Sequence, residues 1–360
     1  MQWRTFWKRS VAPQIVTLSV RTREEYERLW GKELEPIIGR EDMGEMDYRR
    51  ANEVVAQIGS PSVQRHAGAL LRKMCNMAVR EGLMRSNPVT HLQYKPHRRK
   101  RKELIESLDV APFLEAIRGI KYEPLLLCEL GAGLRVEEAC ALAWEDISPL
   151  EFMGKIYAAI DVNKALVPTK GGLVLKDVKT EKSARIAIMG EPFASRLLTL
   201  RKGKQGLISH SDALRRDYTS PITVTHNYRE WCGAHGVRYV PQKDLRSSYA
   251  TIMGEAGAQD SVVSGNMGHT DGTVKGTNYQ TVTIAAKCRA ADALGEWLCQ
   301  LAPNCFPSVA HNWHIERKCA VQREKRGVNP PQVKHGASDR NRTRNPLITK
   351  LENSWADMGL

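Results

Sequence analysis

No run of about 18 consecutive apolar residues occurs anywhere in the 360 residues, so no segment has the makings of a membrane span. The opening residues, Met1-Gln-Trp-Arg-Thr-Phe-Trp-Lys-Arg, lack an apolar signal core and a cleavage site, so the protein is expected to stay in the cytoplasm. Eight cysteines include no Cys-x-x-Cys pair, and in a reducing compartment they are read as thiols. Cys299, Cys305, His311 and His314 fit no common zinc spacing, so no metal or other cofactor is expected. No internal repeat is visible. Acidic residues run short: 40 Asp and Glu stand against 54 Lys and Arg, a formal charge of +14. That surplus suits an anionic partner, nucleic acid first, because Lys and Arg gain affinity by displacing counterions from phosphates. A merely basic soluble protein is the plainer alternative.

What is present reads as two modules with extras. Residues 1–14 are a short basic, aromatic segment. Helical character begins near Val16, with Tyr26, Leu29 and Trp30 on one face and Thr22-Arg-Glu-Glu25 as a capping box. A second helix is predicted over Met46 to Ile58. A third opens at Ser60-Pro61 and runs to about Glu81, its apolar side formed by Ala67, Leu70, Leu71, Met74 and Met77. Residues 15–94 thus form an all-helical module. In the linker 95–102, Lys95-Pro-His-Arg-Arg-Lys-Arg-Lys102, six of eight residues are basic and Pro96 resists a helix. It is either a solvated connection or a strand of charge laid along a DNA backbone. The second reading makes Lys95, Arg98, Arg99, Lys100, Arg101 and Lys102 phosphate contacts. Residues 103–300 form a second block. Helices there bracket strands at Ile156–Val162, Gly172–Val178 and Ala184–Met189, a small antiparallel sheet. Residues 301–360, with ten Lys and Arg against five Asp and Glu, are expected to be a polar tail, disordered or loosely helical.

Five short stretches carry chemistry: Gly131-Ala-Gly-Leu-Arg135, Val178-Lys-Thr180, Lys243-Asp-Leu-Arg246, Met267-Gly-His269 and Asn278-Tyr279. A phosphodiester breaks without metal if a side-chain oxygen attacks phosphorus while fixed cations hold the growing charge. Tyr279 can supply the oxygen. Arg135 and Arg246 can supply planar forks that match two phosphate oxygens. Arg135 stands where a helix follows a glycine bend, near backbone N–H groups that favour anions. Lys243 and Arg246 are three apart on a helix opened by Pro241 and share a face, leaving Leu245, Tyr249 and Ile252 for the core.

In that order and spacing these stretches resemble the catalytic set of the tyrosine recombinases, the family that includes phage integrases. The likeness covers roughly residues 15–300, and Ala78 to Pro88 looks like the close of that family's core-binding domain. The resemblance implies a mainly α fold with a small antiparallel β-sheet: a helical core-binding domain joined to a tyrosine-recombinase catalytic domain. It implies six catalytic residues: Arg135, Lys179, Lys243, Arg246, His269 and Tyr279 as nucleophile. His269 would donate to the scissile phosphate. Lys179, on a β-turn, would protonate the leaving 5′ oxygen, with Lys176 and Lys182 close enough to compete. The family's usual box is His-x-x-Arg; Lys243 replaces the histidine, as in the related type IB topoisomerases. A 3′-phosphotyrosyl link would keep the bond energy, so rejoining needs neither metal nor ATP. The implied partners are double-stranded DNA attachment sites and a homo-tetramer on DNA, with room for host or phage DNA-bending accessory proteins; no membrane is involved. An arm-type DNA contact would fall to Met1–Lys8. After the tyrosine, Ile284 to Leu298 reads as an amphipathic helix, placed either on a neighbouring subunit or on its own core. Two rivals share the motifs: a resolvase or type IB topoisomerase-like enzyme, and a DNA-binding relative without chemistry.

Overall fold

The computed structural model describes residues 1–96, 101–177, 184–210, 217–269 and 282–306. They divide into two units, Met1–Arg101 and the chain from Lys102 onward, with Thr169–Gly172 grouped with the first. The architecture is mostly helical with small antiparallel sheets, as the sequence led us to expect.

The first unit is all helix. Helical turns run through Trp3–Phe6, Trp7–Val11 and Ala12–Ile15. Then come α1 (Val20–Leu29), α2 (Tyr48–Gln57) and α3 (Pro61–Arg80). Each start has a physical cause. Ser19 Oγ accepts from the Thr22 amide ahead of α1, so that helix begins two residues before the expected Thr22 box. The Asp47 carboxylate caps α2 through the Arg50 amide at 2.7 Å. Pro61 begins α3, where a missing N–H costs nothing.

Residues 1–14 are not the separate basic segment expected. Trp3, Phe6, Trp7 and Val11 are buried in the core of this unit, and Trp7 stacks on Trp30 with centroids 4.9 Å apart. The reason is periodic: offsets of three, four and eight residues place these four side chains on one helical face. Arg4 pairs with Glu35 at 2.7 Å. The segment's charge therefore rides on an amphipathic helix rather than on a free arm.

The second unit is built around one large core. After α4 (Val110–Ala116), helix α5 (Glu123–Ala132) is buried along its whole length. It ends at Gly133, whose φ of +68° is left-handed, and an added Cβ would meet Tyr249 and Met267. A short helix, α6 (Val136–Ala139), follows.

Five strands come next: β1 (Ile147–Phe152), β2 (Lys155–Val162), β3 (Lys164–Thr169), β4 (Gly172–Asp177) and β5 (Arg185–Met189). They form an antiparallel three-stranded sheet in the order β1-β2-β5 and a separate β3–β4 pair. The register pairs Ala158 with Met189 and Val162 with Arg185, which fixes where Arg185 enters the unit.

The chain closes with α7 (Phe193–Arg201), α8 (Pro221–Ala234), α9 (Gln242–Glu255), α10 (Asp260–Met267) and α11 (Ile284–Leu301). Helix α11 packs on its own chain. Cys288 and Ala291 contact the cluster of Tyr157, Ala159 and Ile188, while Leu294 and Leu298 enter the main core. Gly190 admits the close approach, since a Cβ there would stand 2.9 Å from that of Ala291. No helix among the described residues is long and apolar enough to cross a membrane.

Candidate functional site

Three pieces of the second unit converge: the bend between α5 and α6, the first turns of α9, and the C-terminal end of α10. Arg135 is the residue on which α6 starts. Its backbone N–H donates to Glu138 Oε2 at 3.0 Å and its Nη1 to Glu138 Oε1 at 2.7 Å. A carboxylate three residues into a helix satisfies an orphan amide, which is why the chain turns helical here. About two-fifths of the Arg135 side chain stays exposed.

Arg246 comes in from α9 and is nearly buried. Its fork spans two carbonyls, Gly133 through Nη1 and Met267 through Nη2 at 3.0 Å. That ties the end of α5 to the end of α10. Arg135 Nη2 reaches the next carbonyl, Gly268, at 3.5 Å. Gly268 ends α10 at φ +70°, and the His269 amide closes the turn onto Ser264 O at 2.9 Å. His269 follows at once and is exposed.

Glu138 and Arg185 complete this cluster. Arg185, first residue of β5, grips both oxygens of the Glu138 carboxylate at 2.9 and 3.3 Å. Its Nε donates to Asn266 O at 2.6 Å. Asn266 in turn clasps the Ile188 backbone, accepting its N–H at 2.8 Å and donating to its carbonyl at 3.0 Å. Three guanidiniums thus surround one buried carboxylate.

The electrostatics follow from that count. Burial alone would raise the Glu138 pKa, but the hydrogen bond and charge of Arg185, with help from Arg135, hold it below the usual carboxylate range. Arg246 moves the other way. Burial first, then the charge of Arg135, brings its guanidinium down to about 10 against the pull of Glu138. It stays protonated at neutral pH, a buried cation beside a second one, and a guanidinium so placed can pair with an anion.

The expected site residues distribute as follows. Arg135, Arg246 and the turn that carries His269 are brought together by the contacts just described. Lys243 lies one turn before Arg246 on α9 and is exposed, whereas Arg246 is buried. Lys176 lies on β4. Lys179, its competitor Lys182, and Tyr279 fall outside the described residues, as do Arg98, Arg99, Lys100, His311 and His314. Of the linker cations that are described, Lys95 and Arg101 are exposed and Lys102 donates to Ser247 Oγ at 3.0 Å.

Two other tyrosines near the motifs are buried. The Tyr249 phenol accepts from Asn266 Nδ2 at 2.9 Å, and burial pushes it up to about 12. Burial likewise pushes Tyr228 upward. Sequence reasoning missed the roles of Glu138, Arg185 and Asn266. Only Glu138 left a usable signal, its capping spacing from Arg135.

The phage integrase family model matches residues 105–284. A XerC-like tyrosine recombinase of Caldanaerobacter subterraneus subsp. tengcongensis is 23% identical over 272 residues, covering 69% of each chain. Among solved structures, the Tn1549 transposon integrase in complex with circular intermediate DNA superposes with a TM-score of 0.62. It is 17% identical, and the match covers 81% of this chain and 98% of that one. A lambda integrase tetramer bound to a Holliday junction superposes with a TM-score of 0.51 at 16% identity, over 79% of this chain and 81% of that one.

Proposed function

This chain belongs to the phage integrase family and is a site-specific tyrosine recombinase, and from that premise we propose that it integrates a mobile or viral element by cutting and rejoining DNA through a 3′-phosphotyrosyl link. The observation that carries this reading is the paired anchoring of Arg135 and Arg246 on consecutive carbonyls, Gly268 and Met267, at the turn that delivers His269.

The chemistry runs as follows. The Tyr279 oxygen attacks the scissile phosphorus and passes its proton to solvent water as the P–O bond forms. The bond to the 5′ oxygen breaks, and Lys179 gives that oxygen a proton. The forks of Arg135 and Arg246 hold the nonbridging oxygens, and His269 donates a further hydrogen bond. Lys243 adds positive charge and a donor from the rim of the site. Rejoining reverses the steps with the 5′ hydroxyl of a second strand as nucleophile. No metal, ATP or other cofactor takes part. Phosphodiester energy is kept in the phosphotyrosyl bond.

Double-stranded DNA attachment sites are the substrate. The Tn1549 integrase structure holds circular intermediate DNA, which supports a DNA substrate, and the lambda integrase structure is a tetramer on a Holliday junction, which supports a four-subunit exchange here. The cations of Lys95–Lys102 contact backbone phosphates and set register without reading bases. DNA-bending accessory proteins assist assembly, and the enzyme works in the cytoplasm on chromosomal DNA.

The test is to incubate the protein with plasmids carrying the DNA that flanks its own gene and to sequence the junctions formed. Conservative crossovers at one short repeated core, with no nucleotides gained or lost, are expected. Relaxed but unrecombined plasmid at every protein concentration would favour the topoisomerase-like alternative instead.

A further inference from the structure

The position of Glu138 poses a problem for a phosphate clamp. Its carboxylate is 2.7 Å from Arg135 Nη1 and 3.9 Å from Arg246 Nη1. An anion there competes with DNA for the two forks that the reaction uses.

Arg185 answers the problem. Its Nη groups take both Glu138 oxygens, and its Nε is committed to Asn266 O. Only 5% of its side chain is exposed, so it offers no open face to DNA. Gly268 lies against it: a Cβ there would stand 2.8 Å from Arg185 Nη1. The guanidinium therefore fills the space between the Glu138 carboxylate and the turn that delivers His269. The charge count matters as well. Among the described residues, the three arginines and one glutamate of this cluster carry two net positive charges. A phenolate attacking a phosphodiester monoanion gathers two negative charges on the five-coordinate phosphorus group. Without Arg185 the cluster would carry only one positive charge, and Glu138 would fall back on Arg135 and Arg246 for pairing.

We propose that Arg185 is a positioning residue of the cleavage site, one that keeps Glu138 countered so that Arg135 and Arg246 retain their positive charge for the scissile phosphate. The inference rests on the reading of the site given above. The plainer role is mechanical: through Asn266 O, Arg185 pins β5 to α10 and nothing more.

A charge-balance cycle on the full-length protein separates the two. Arg185→Met, Glu138→Gln and the double variant are compared with the native chain. The substrate is a supercoiled plasmid carrying the DNA that flanks the gene. The readouts are the rate of covalent protein–DNA adduct formation, binding by gel shift, and the melting temperature. Arg185→Met is expected to slow adduct formation by roughly 100-fold, the loss seen for one oxyanion donor, with binding unchanged. Adding Glu138→Gln removes the unpaired carboxylate and is expected to restore at least about tenfold of that loss, a coupling typical of contacting charges. A mechanical pin predicts no recovery, because losing Glu138 cannot rebuild a strand contact. A double variant as slow as Arg185→Met overturns the proposal. Should Arg185→Met fail to fold, Arg185→Lys decides. That variant keeps the charge that counters Glu138 but loses the fork that also holds Asn266 O, so adduct formation within about tenfold of the native rate is expected, and a loss of roughly 100-fold in the folded Lys variant overturns the proposal. A native chain that forms no adduct on this DNA brings down the reading of the site, and this inference with it, a result distinct from failed rescue.

Discussion

Asn266 on α10 donates to the hydroxyl of Tyr249 on α9 at 2.9 Å, inside a core closed to water. The same amide holds the Ile188 backbone of β5, so one side chain links the strand, the helix bearing Arg246 and the helix leading to His269. The Tyr249 hydroxyl is thus a structural acceptor. Tyr249→Phe should cost about 1 kcal/mol of stability for one buried hydrogen bond and should leave covalent attachment to DNA intact. Thermal melts and adduct gels read the two effects. Loss of adduct in a well-folded Phe variant would reopen Tyr249 as a candidate nucleophile.

Lys287 makes a pH prediction. Its ammonium lies buried on α11 and donates to Ile186 O at 2.6 Å. Burial first, then the charge of Arg185, lowers its pKa from 10.5 to about 8. Between about pH 8 and 10.5 the unfolded chain therefore holds a proton that the folded chain has released, and this group's contribution to stability rises with pH across that window. Below the window the lysine is charged in both states and bears its full burial cost. Lys287→Met removes the effect. Relative to Lys287→Met, the native chain should gain about 2 kcal/mol between pH 7 and pH 9.5. Denaturant melts at both values check this; parallel curves would show that Lys287 is not the titrating group.

Gly133 stands at a junction where a side chain has no room. Its φ is +68°, and a Cβ would lie 2.5 Å from Tyr249 Cδ1 and 2.8 Å from Met267 Cγ. Its carbonyl is also one of the two acceptors of Arg246. Gly133→Ala should destabilise by roughly 2 kcal/mol or more from left-handed strain and overpacking together. It should slow cleavage beyond what the melt explains, because it shifts an acceptor of Arg246. Equal activity per folded molecule would mean that the carbonyl can move without disturbing the guanidinium.

The proposed acid has a chemical test. If Lys179 protonates the 5′ oxygen, a 5′-bridging phosphorothiolate substrate bypasses it, since a thiolate leaves without a proton. Lys179→Ala should then cut the sulfur substrate at nearly the native rate and fail on ordinary DNA. Equal defects on both substrates would pass the role to Lys182 or Lys176.

Much of this molecule was readable in advance, and what was not has physical causes. The helices α2 and α3 were legible in the sequence, α3 by its apolar period and by Pro61. The N-terminal turns were so too, but the charge of Arg4, Lys8 and Arg9 drew attention from the spacing of Trp3, Phe6, Trp7 and Val11. Strand β1 escaped because Pro149 lies within it, tolerated on the edge of a sheet, and because its turn to β2 uses Met153 at φ +52° instead of the expected Asn or Asp. Arg135 and Arg246 were marked by motif. Arg185 was not, because its meaning comes from a carboxylate 47 residues away and a carbonyl 81 residues away, contacts that only the folded chain makes. The different burial of Lys243 and Arg246 was hidden for the same reason: helical spacing gives a shared face but not how deep that face lies.

The central claim is that Tyr279 is the nucleophile, and Tyr279→Phe tests it most directly, because only the attacking oxygen is removed. The native protein and the Phe variant are incubated with DNA carrying the attachment core and resolved under denaturing conditions, with binding measured in parallel by gel shift. The account predicts equal binding, a denaturant-resistant adduct for the native chain and none for the variant. An adduct of normal yield with Tyr279→Phe would contradict it.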